Sequence, residues 1–146
     1  MKTKTLSLLC NKTTLFKDIT DEIIKSIEDT KEFREGEIGG MITIFSRHTT
    51  ACLKILEDEK LLMADYRSFF EKIAPVNGYY AHNITEAREV PKNEPLNGHS
   101  HIRALFAEHS ITIPIRNNKL QLGKWQRIFL IDFDEGRDRE LLISFY

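Results

Sequence analysis

Histidines stand at positions 48, 82, 99, 101 and 109, and the first four lie beside loop or element-boundary signals. Neutral imidazole offers one lone pair and is the commonest side-chain metal ligand; three imidazoles with an open fourth position form a usual catalytic Zn²⁺ shell. His48, His82 and His101 are the set such a shell would use. Their separations of 34 and 19 residues match no local zinc motif, so independent turn-capping roles stand beside a shared site. His99 and His101 differ by two, which places them on one side of a strand but about 200° apart on a helix. If Asn97 caps a helix, only one of them faces a site. His101 is assigned to it, with Ile102, Leu105 and Phe106 marking the buried side next to it. His109, at the entry to a strand, is assigned to ordinary packing.

A second chemistry is anion binding. A helix starting near Asn97 presents free backbone N–H groups, which bind phosphate readily. Thr49 and Thr50 follow His48 directly, and Arg137 and Arg139 alternate within Asp134-Glu135-Gly136-Arg137-Asp138-Arg139. Alternate residues of an extended segment point the same way, so two planar guanidinium forks can grip one oxyanion. Pairing of those arginines with Asp134, Asp138 and Glu140 is the competing reading. Glu57 ends the strand that follows Thr50 and can serve as proton carrier or as partner to a histidine. Trp125, after a glycine turn, fits either the core or the wall of a ring-binding pocket.

These residues must be held by a frame, and the hydrophobic pattern outlines one. Residues 3–10, 41–46, 52–56, 109–115, 120–122, 126–132 and 140–146 read as strands, with 11–14 a polar turn. Ile19, Ile23, Ile24 and Ile27 fall at helical spacing behind Asp18, a capping residue, and Gly36 with Gly39-Gly40 stops that helix. A second helix starts near Asp58 with Leu62, Tyr66, Phe69 and Ile73 on its apolar face and ends at Pro75; a third runs from Asn97 through Phe106. Residues 75–97, broken by Pro75, Asn77-Gly78, Pro91 and Pro95, form the kind of long connection that carries function. The reading is one α+β domain over residues 1–146, its strands packed by two or three helices.

Composition narrows the partners. The chain has 146 residues, 21 Lys+Arg against 22 Asp+Glu, and a net charge of −1. Residues 1–37 hold 7 basic and 8 acidic groups, residues 38–95 hold 7 and 8, and residues 96–146 hold 7 and 6. Without a basic arm, neither nucleic acid nor an anionic membrane is expected as a partner. Cys10 and Cys52 form no CxxC pair and read as buried, inert thiols. No stretch has the length of a signal-peptide core or a membrane span, so a cytoplasmic location is expected.

Taken together, Ser46-Arg47-His48-Thr49-Thr50-Ala51, Tyr80-Ala81-His82-Asn83, Asn97-Gly98-His99-Ser100-His101, Leu120-Gln121-Leu122-Gly123-Lys124-Trp125-Gln126 and Phe133-Asp134-Glu135-Gly136-Arg137-Asp138-Arg139 resemble the YjbQ/YugU family over nearly the whole chain. The resemblance implies a compact two-sheet, sandwich-like α+β fold and a homotrimer with histidines near subunit boundaries around a metal or anion. It also implies thiamine-phosphate synthase activity, joining hydroxymethylpyrimidine diphosphate to thiazole phosphate with release of diphosphate. On this matching His48, His82 and His101 take the family's histidine positions, Glu57 its acidic position, and Arg137 and Arg139 its arginines. Three imidazoles suit Zn²⁺, whereas diphosphate departure commonly uses Mg²⁺ with oxygen ligands. A metal-dependent hydrolase, or a trimer that binds a phosphorylated metabolite or metal without turnover, would use the same residues. Leu56 replaces the family's Asn, Asn118 its Gly, and Asp134-Glu135-Gly136-Arg137 its Asp-Gly-Pro-Arg. Asn tolerates the left-handed conformation of glycine, so the turn at Asn118 is expected to survive.

Overall fold

The computed structural model describes residues 2–10, 15–30, 39–134 and 136–146. The expected turn at residues 11–14 and Gly36 lie outside them. Among the described residues, eight strands form two antiparallel sheets. The larger has the order β1 (Lys2–Leu9), β8 (Asp138–Phe145), β3 (Gly40–Ser46), β5 (Ser110–Arg116), β6 (Lys119–Leu120). The smaller sets β7 (Gln126–Asp132) between β2 (Phe16–Asp18) and β4 (Ala51–Glu57). Three α-helices accompany them among the described residues: α1 (Thr20–Glu28), α2 (Lys60–Ile73) and α3 (Gly98–Ala104). This is the α+β, two-sheet fold expected.

Alternation explains the layers. Ile42 and Ile44 of β3, Ile113 and Ile115 of β5, and Leu141 and Ile143 of β8 face inward from the large sheet. Ala51 and Leu53 of β4 and Ile128 and Leu130 of β7 meet them from the small sheet, with Ile23 and Ile27 of α1 closing the same core. The other faces of β4 and β7 present Cys52, Phe129 and Ile131 to a second cluster with Phe70 of α2 and Ala104 of α3. A strand buried on both faces reads as a continuous apolar run, which is why β7 contains Ile128-Phe129-Leu130-Ile131.

Local signals place most ends. Asp18 Oδ1 accepts from the backbone N and Oγ1 of Thr20 at 2.9 and 2.6 Å, capping α1 from just outside the helix. Glu59 caps α2, accepting from the N–H groups of Leu61 and Leu62 at 2.8 Å each. Asn117 and Asn118 both have positive φ, 51° and 57°, between the paired strands β5 and β6. That is the pattern of a primed hairpin turn, and Asn118 supplies a left-handed residue there, so the turn expected at this position is present.

Several expectations are corrected. Phe16–Asp18 is a short strand pairing with Phe129 to Ile131, hidden from the pattern because three residues carry no readable alternation. Along α2 only Phe70 is fully buried, while Phe69 is 45% and Ile73 37% exposed. Residues 75–97 contain two 3-10 turns, Ala81–Asn83 and Thr85–Ala87. Trp125 is 63% exposed, outside the core, with the Lys124 ammonium 4.7 Å from its ring centroid. Both cysteines are buried and unbridged; burial pushes the Cys52 thiol up to about 11. No helix among the described residues is long and apolar enough to cross a membrane.

Candidate functional site

Two segments cross from one sheet to the other at the same end of the sandwich: Arg47–Thr50 between β3 and β4, and the turn between β7 and β8. The first is tied by Ser46 Oγ, which donates to the Ala51 carbonyl at 2.5 Å and accepts the His48 N–H at 3.4 Å. In the second, Gly136 adopts φ 79°, a left-handed conformation that glycine takes without cost. The start of α3 and the 3-10 turn carrying His82 approach the same end. Together they enclose a cleft of about 400 Å³ whose walls include Arg47, His48, Thr49, His82, His101 and Arg137. Thr50, Glu94, Asn97, Asp134 and Arg139 also border it.

The helix start is built by side chains from elsewhere. Asn83 Oδ1 accepts the Gly98 N–H at 2.9 Å. Asn97 occupies the cap position but makes no side-chain cap; its Nδ2 donates to Asp134 Oδ2 at 2.9 Å, binding α3 to the β7–β8 turn. A Cβ at Gly98 would lie 2.4 Å from Tyr80 Cβ, so glycine is required for this close approach.

The histidines divide. His48 Nε2 accepts the Glu140 N–H at 3.0 Å, which puts its own ring proton on Nδ1. Burial first, then the Arg139 charge, holds its pKa below the usual value. His82 and His101 face each other with ring centroids 4.5 Å apart and planes at 62°. Burial lowers the His101 pKa, and the His82 ring adds to the effect. His99 turns away: its Nε2 lies 3.1 Å from Ser100 Oγ, which donates to the Phe133 carbonyl at 2.6 Å, and its ring packs 6.3 Å from Tyr80. His101 is therefore the cleft residue, but not for the reason expected. Ile102, Leu105 and Phe106 are 40%, 77% and 49% exposed, and the buried side of α3 is Ser100, Arg103 and Ala104.

The arginines divide as well. Arg137 is half-exposed with its Nε 3.4 Å from Asp134 Oδ2, leaving its outer N–H groups for the cleft. Arg139 is 4% exposed and committed inward: its Nε and Nη2 donate to Asp132 Oδ1 at 3.2 and 2.5 Å, and Nη2 also reaches the Asp134 carbonyl. The expected two-fork grip is thus corrected to one fork, Arg137, with Arg139 as a buried brace. Arg47, paired to Glu140 at 2.9 Å across solvent, is the other cation at the rim. Glu57 is also corrected. It is exposed at the far end of β4, about 23 Å along the strand from Thr50 at ~3.3 Å per residue, and belongs to another region of the chain.

The donors of the cleft do not match the metal shell that the histidines suggest. His48 Nε2 is occupied by a backbone N–H, the His82–His101 pair supplies two rings, and the three arginines of the remaining walls outnumber its two carboxylates, Glu94 and Asp134. Among the described residues no three His, Cys, Asp or Glu side chains gather into a metal cage. A three-imidazole shell does not fit within one chain. Arg47 and Glu94 border the cleft without having been expected there, and Asp134 was expected only as an ion-pair partner of the arginines. Standing next to His48 is the one signal that could have found Arg47, and the place between Pro91 and Pro95 the one for Glu94.

A family model described as "UPF0047 protein YjbQ-like" matches residues 4–146. A UPF0047 protein of Methanothermobacter thermautotrophicus is 33% identical over 127 residues, covering 87% of this chain and 79% of that protein. One from Archaeoglobus fulgidus is 30% identical and covers 87% of both chains. The crystal structure of an uncharacterized conserved protein of the yjbq/upf0047 family from Clostridium acetobutylicum superimposes with a TM-score of 0.79 at 31% identity, covering 98% of this chain and 99% of that one. A hypothetical protein from Aeropyrum pernix K1, at 24% identity, shares the fold with a TM-score of 0.83 over 100% of this chain and 98% of its own.

Proposed function

This chain belongs to the UPF0047 YjbQ-like family, and from that premise we propose that its cleft binds the phosphate or diphosphate group of a small phosphorylated metabolite. The observation that carries this reading is the meeting of Arg47 and Arg137 with Thr49, His82 and His101 around a cavity of about 400 Å³, a volume suited to a small-molecule ligand. Arg137 donates to the anion with its outer fork, the Thr49 hydroxyl adds a neutral donor, and the imidazoles add N–H groups. Arg139 acts by holding Asp132 and the Asp134 carbonyl, which keeps the turn that presents Arg137 in place.

The finer reading is a thiamine-phosphate synthase-like transfer. The thiazole nitrogen attacks the methylene carbon of hydroxymethylpyrimidine diphosphate, the carbon–oxygen bond to diphosphate breaks, and diphosphate leaves with the electron pair. What supports it is the family resemblance together with donors placed to take up growing negative charge. The hydrolase reading needs three converging imidazoles, which the geometry does not form, and no step is routed through a metal. Assembly as a homotrimer belongs to the same proposal. It is supported by the exposed apolar residues Phe69, Ile73, Ile102, Leu105 and Phe106 on α2, α3 and the turn after α3.

Calorimetric titration with inorganic phosphate and diphosphate tests the anion reading. Binding to the parent protein is expected, weakened about tenfold or more in Arg137→Gln, the loss typical of a charge-assisted hydrogen bond. No binding at millimolar concentration, or binding indifferent to Arg137→Gln and Thr49→Ala, refutes it. Incubation with the two thiamine precursors then tests turnover by product detection.

A further inference from the structure

Residues 120–126 take no part in the cleft, although they are among the stretches that carry the family resemblance. They border a different cavity, of about 680 Å³, at the other end of β7. The cleft lies at the turn after Asp132, whereas this cavity meets Gln126 and Arg127, ~20 Å back along the strand. Every second residue of the segment, Leu120, Leu122, Lys124 and Gln126, lines it, and α1 adds Ile24 and Ile27. Ile27 belongs to the main core, Leu120 and Leu122 pack against that core, and Ile24 is 38% exposed. The walls are therefore apolar and continuous with the interior. The segment is also held in place: the Gln121 N–H donates to the Pro114 carbonyl at 2.9 Å, its Nε2 to the Lys119 carbonyl at 3.0 Å, and Gln126 Oε1 accepts the Gly123 N–H at 2.8 Å. A backbone N–H can only donate, so Gln126 turns its oxygen to Gly123 and keeps its NH₂ free. The other polar groups sort by whether they are already spent. Arg127 donates from Nε and Nη2 to Asp18 and Asp21 at 2.6 and 3.1 Å, and the Thr20 hydroxyl donates to Asp18 and accepts the Ile128 N–H. Glu28, the one carboxylate on the wall, has a partner of its own. Lys119 meets no acceptor among the described residues, and Lys124 meets only the Trp125 ring. The charges left over are both positive, with the neutral amides of Asn117 and Gln126 beside them.

We propose that this cavity is a second binding site, for an amphipathic anion: an apolar chain or ring enters between α1 and residues 120–122, and its terminal carboxylate meets Lys119, Lys124 and the Gln126 NH₂. Apolar walls with a few placed polar groups are the ordinary make-up of a small-molecule pocket. Burial of the chain supplies the affinity. The exposed ammoniums contribute less, as exposed ion pairs do, and select the charged end. The site shares no lining residue with the cleft and does not rest on the anion-binding reading given to it.

Calorimetry on the full chain with hexanoate, octanoate and 1-octanol tests this. Octanoate is expected to bind saturably, about tenfold or more tighter than hexanoate for its two further methylenes, and about threefold or more tighter than octanol. Ile24→Glu places a carboxylate on the exposed part of the wall while Ile23 and Ile27 still anchor α1; it should weaken octanoate about tenfold or more. Lys119→Gln with Lys124→Gln should bring octanoate down to the affinity of octanol. Inorganic phosphate, added at constant ionic strength, should leave octanoate binding unchanged. No saturable binding at millimolar octanoate, or equal affinity for octanoate and octanol in the parent protein, overturns the proposal. Binding indifferent to Ile24→Glu also overturns it, by placing the chain in another apolar groove such as that between Tyr66 and Phe106. Displacement by phosphate overturns it by placing the carboxylate in the cleft, and leaves the anion reading of the cleft standing.

Discussion

Replacing Arg139 with Met isolates the brace under the cleft. The side chain is 4% exposed, and Asp132, its partner, is 1% exposed, so neither charge can be rehydrated in place. The substitution removes the Nε and Nη2 donations to Asp132 Oδ1 and the Nη2 donation to the Asp134 carbonyl. Asp132 keeps only weak donors, the Asp134 N–H at 3.3 Å and the Cys10 thiol beside it. Breaking a buried pair from one side costs about 3–5 kcal/mol because the remaining charge stays buried. Urea unfolding at fixed protein concentration should show that loss as a lower midpoint with an unchanged slope. Asp132→Leu combined with Arg139→Met removes both charges and should recover at least about half of the loss. Under conditions where Arg139→Met remains folded, its phosphate affinity should fall less than that of Arg137→Gln, since the inward fork does not face the ligand. A single-variant loss below about 1 kcal/mol, a double variant that is merely additive, or a phosphate defect equal to that of Arg137→Gln refutes the reasoning.

Gly98→Ala should destabilise the protein by about 1–3 kcal/mol, because its Cβ would overlap Tyr80 Cβ at 2.4 Å; it should also weaken phosphate binding in calorimetry by displacing the turn that carries His82. The folded-state pKa values of His48, His99 and His101 lie below the ordinary 6.5, with burial the largest cause in each. Their contribution to stability is therefore fully present above about pH 6.5 and lost as pH falls through the lowered folded values. Melting temperature should drop across that window, and less steeply in His99→Gln. Because a bound anion favours imidazolium, phosphate affinity should rise as pH falls below 6.5, and a His101→Gln variant should flatten the rise seen by titration. Phe69→Asp with Phe106→Asp places charge on rings 5.7 Å apart on the exposed apolar face. Light scattering should report a smaller assembly than the parent; an unchanged mass sinks the proposed trimer contact.

Much of the frame was legible because burial on one or both faces writes a period into the chain: the alternation of Ile42 and Ile44 placed β3, and the unbroken run from Ile128 to Ile131 placed β7. The segments of the cleft were legible for a related reason, since His48, Asn97 and Arg137 stand where elements begin or end. What was hidden depends on direction in space. Nothing in the spacing of Arg137 and Arg139 shows that one points to solvent and the other toward Asp132: Arg139 sits within β8 opposite Leu8 of β1, whereas Arg137 stands before the strand begins. Apolar type also misled at Ile102, Leu105, Phe106 and Trp125, which a single chain leaves exposed. Glu57 was drawn to the site by nearness in sequence, and the extended course of β4 carries it away.

The two turns that form the cleft both pass from one sheet to the other. A molecule held between Thr49 on the first turn and Arg137 on the second would therefore span the seam of the sandwich and resist any sliding of its layers. Occupancy should slow hydrogen exchange in the paired central strands β3 and β7, well beyond the residues it touches. The cleft acts as a rivet position: the same few loops that recognise a ligand are those through which the two halves of the core are fastened.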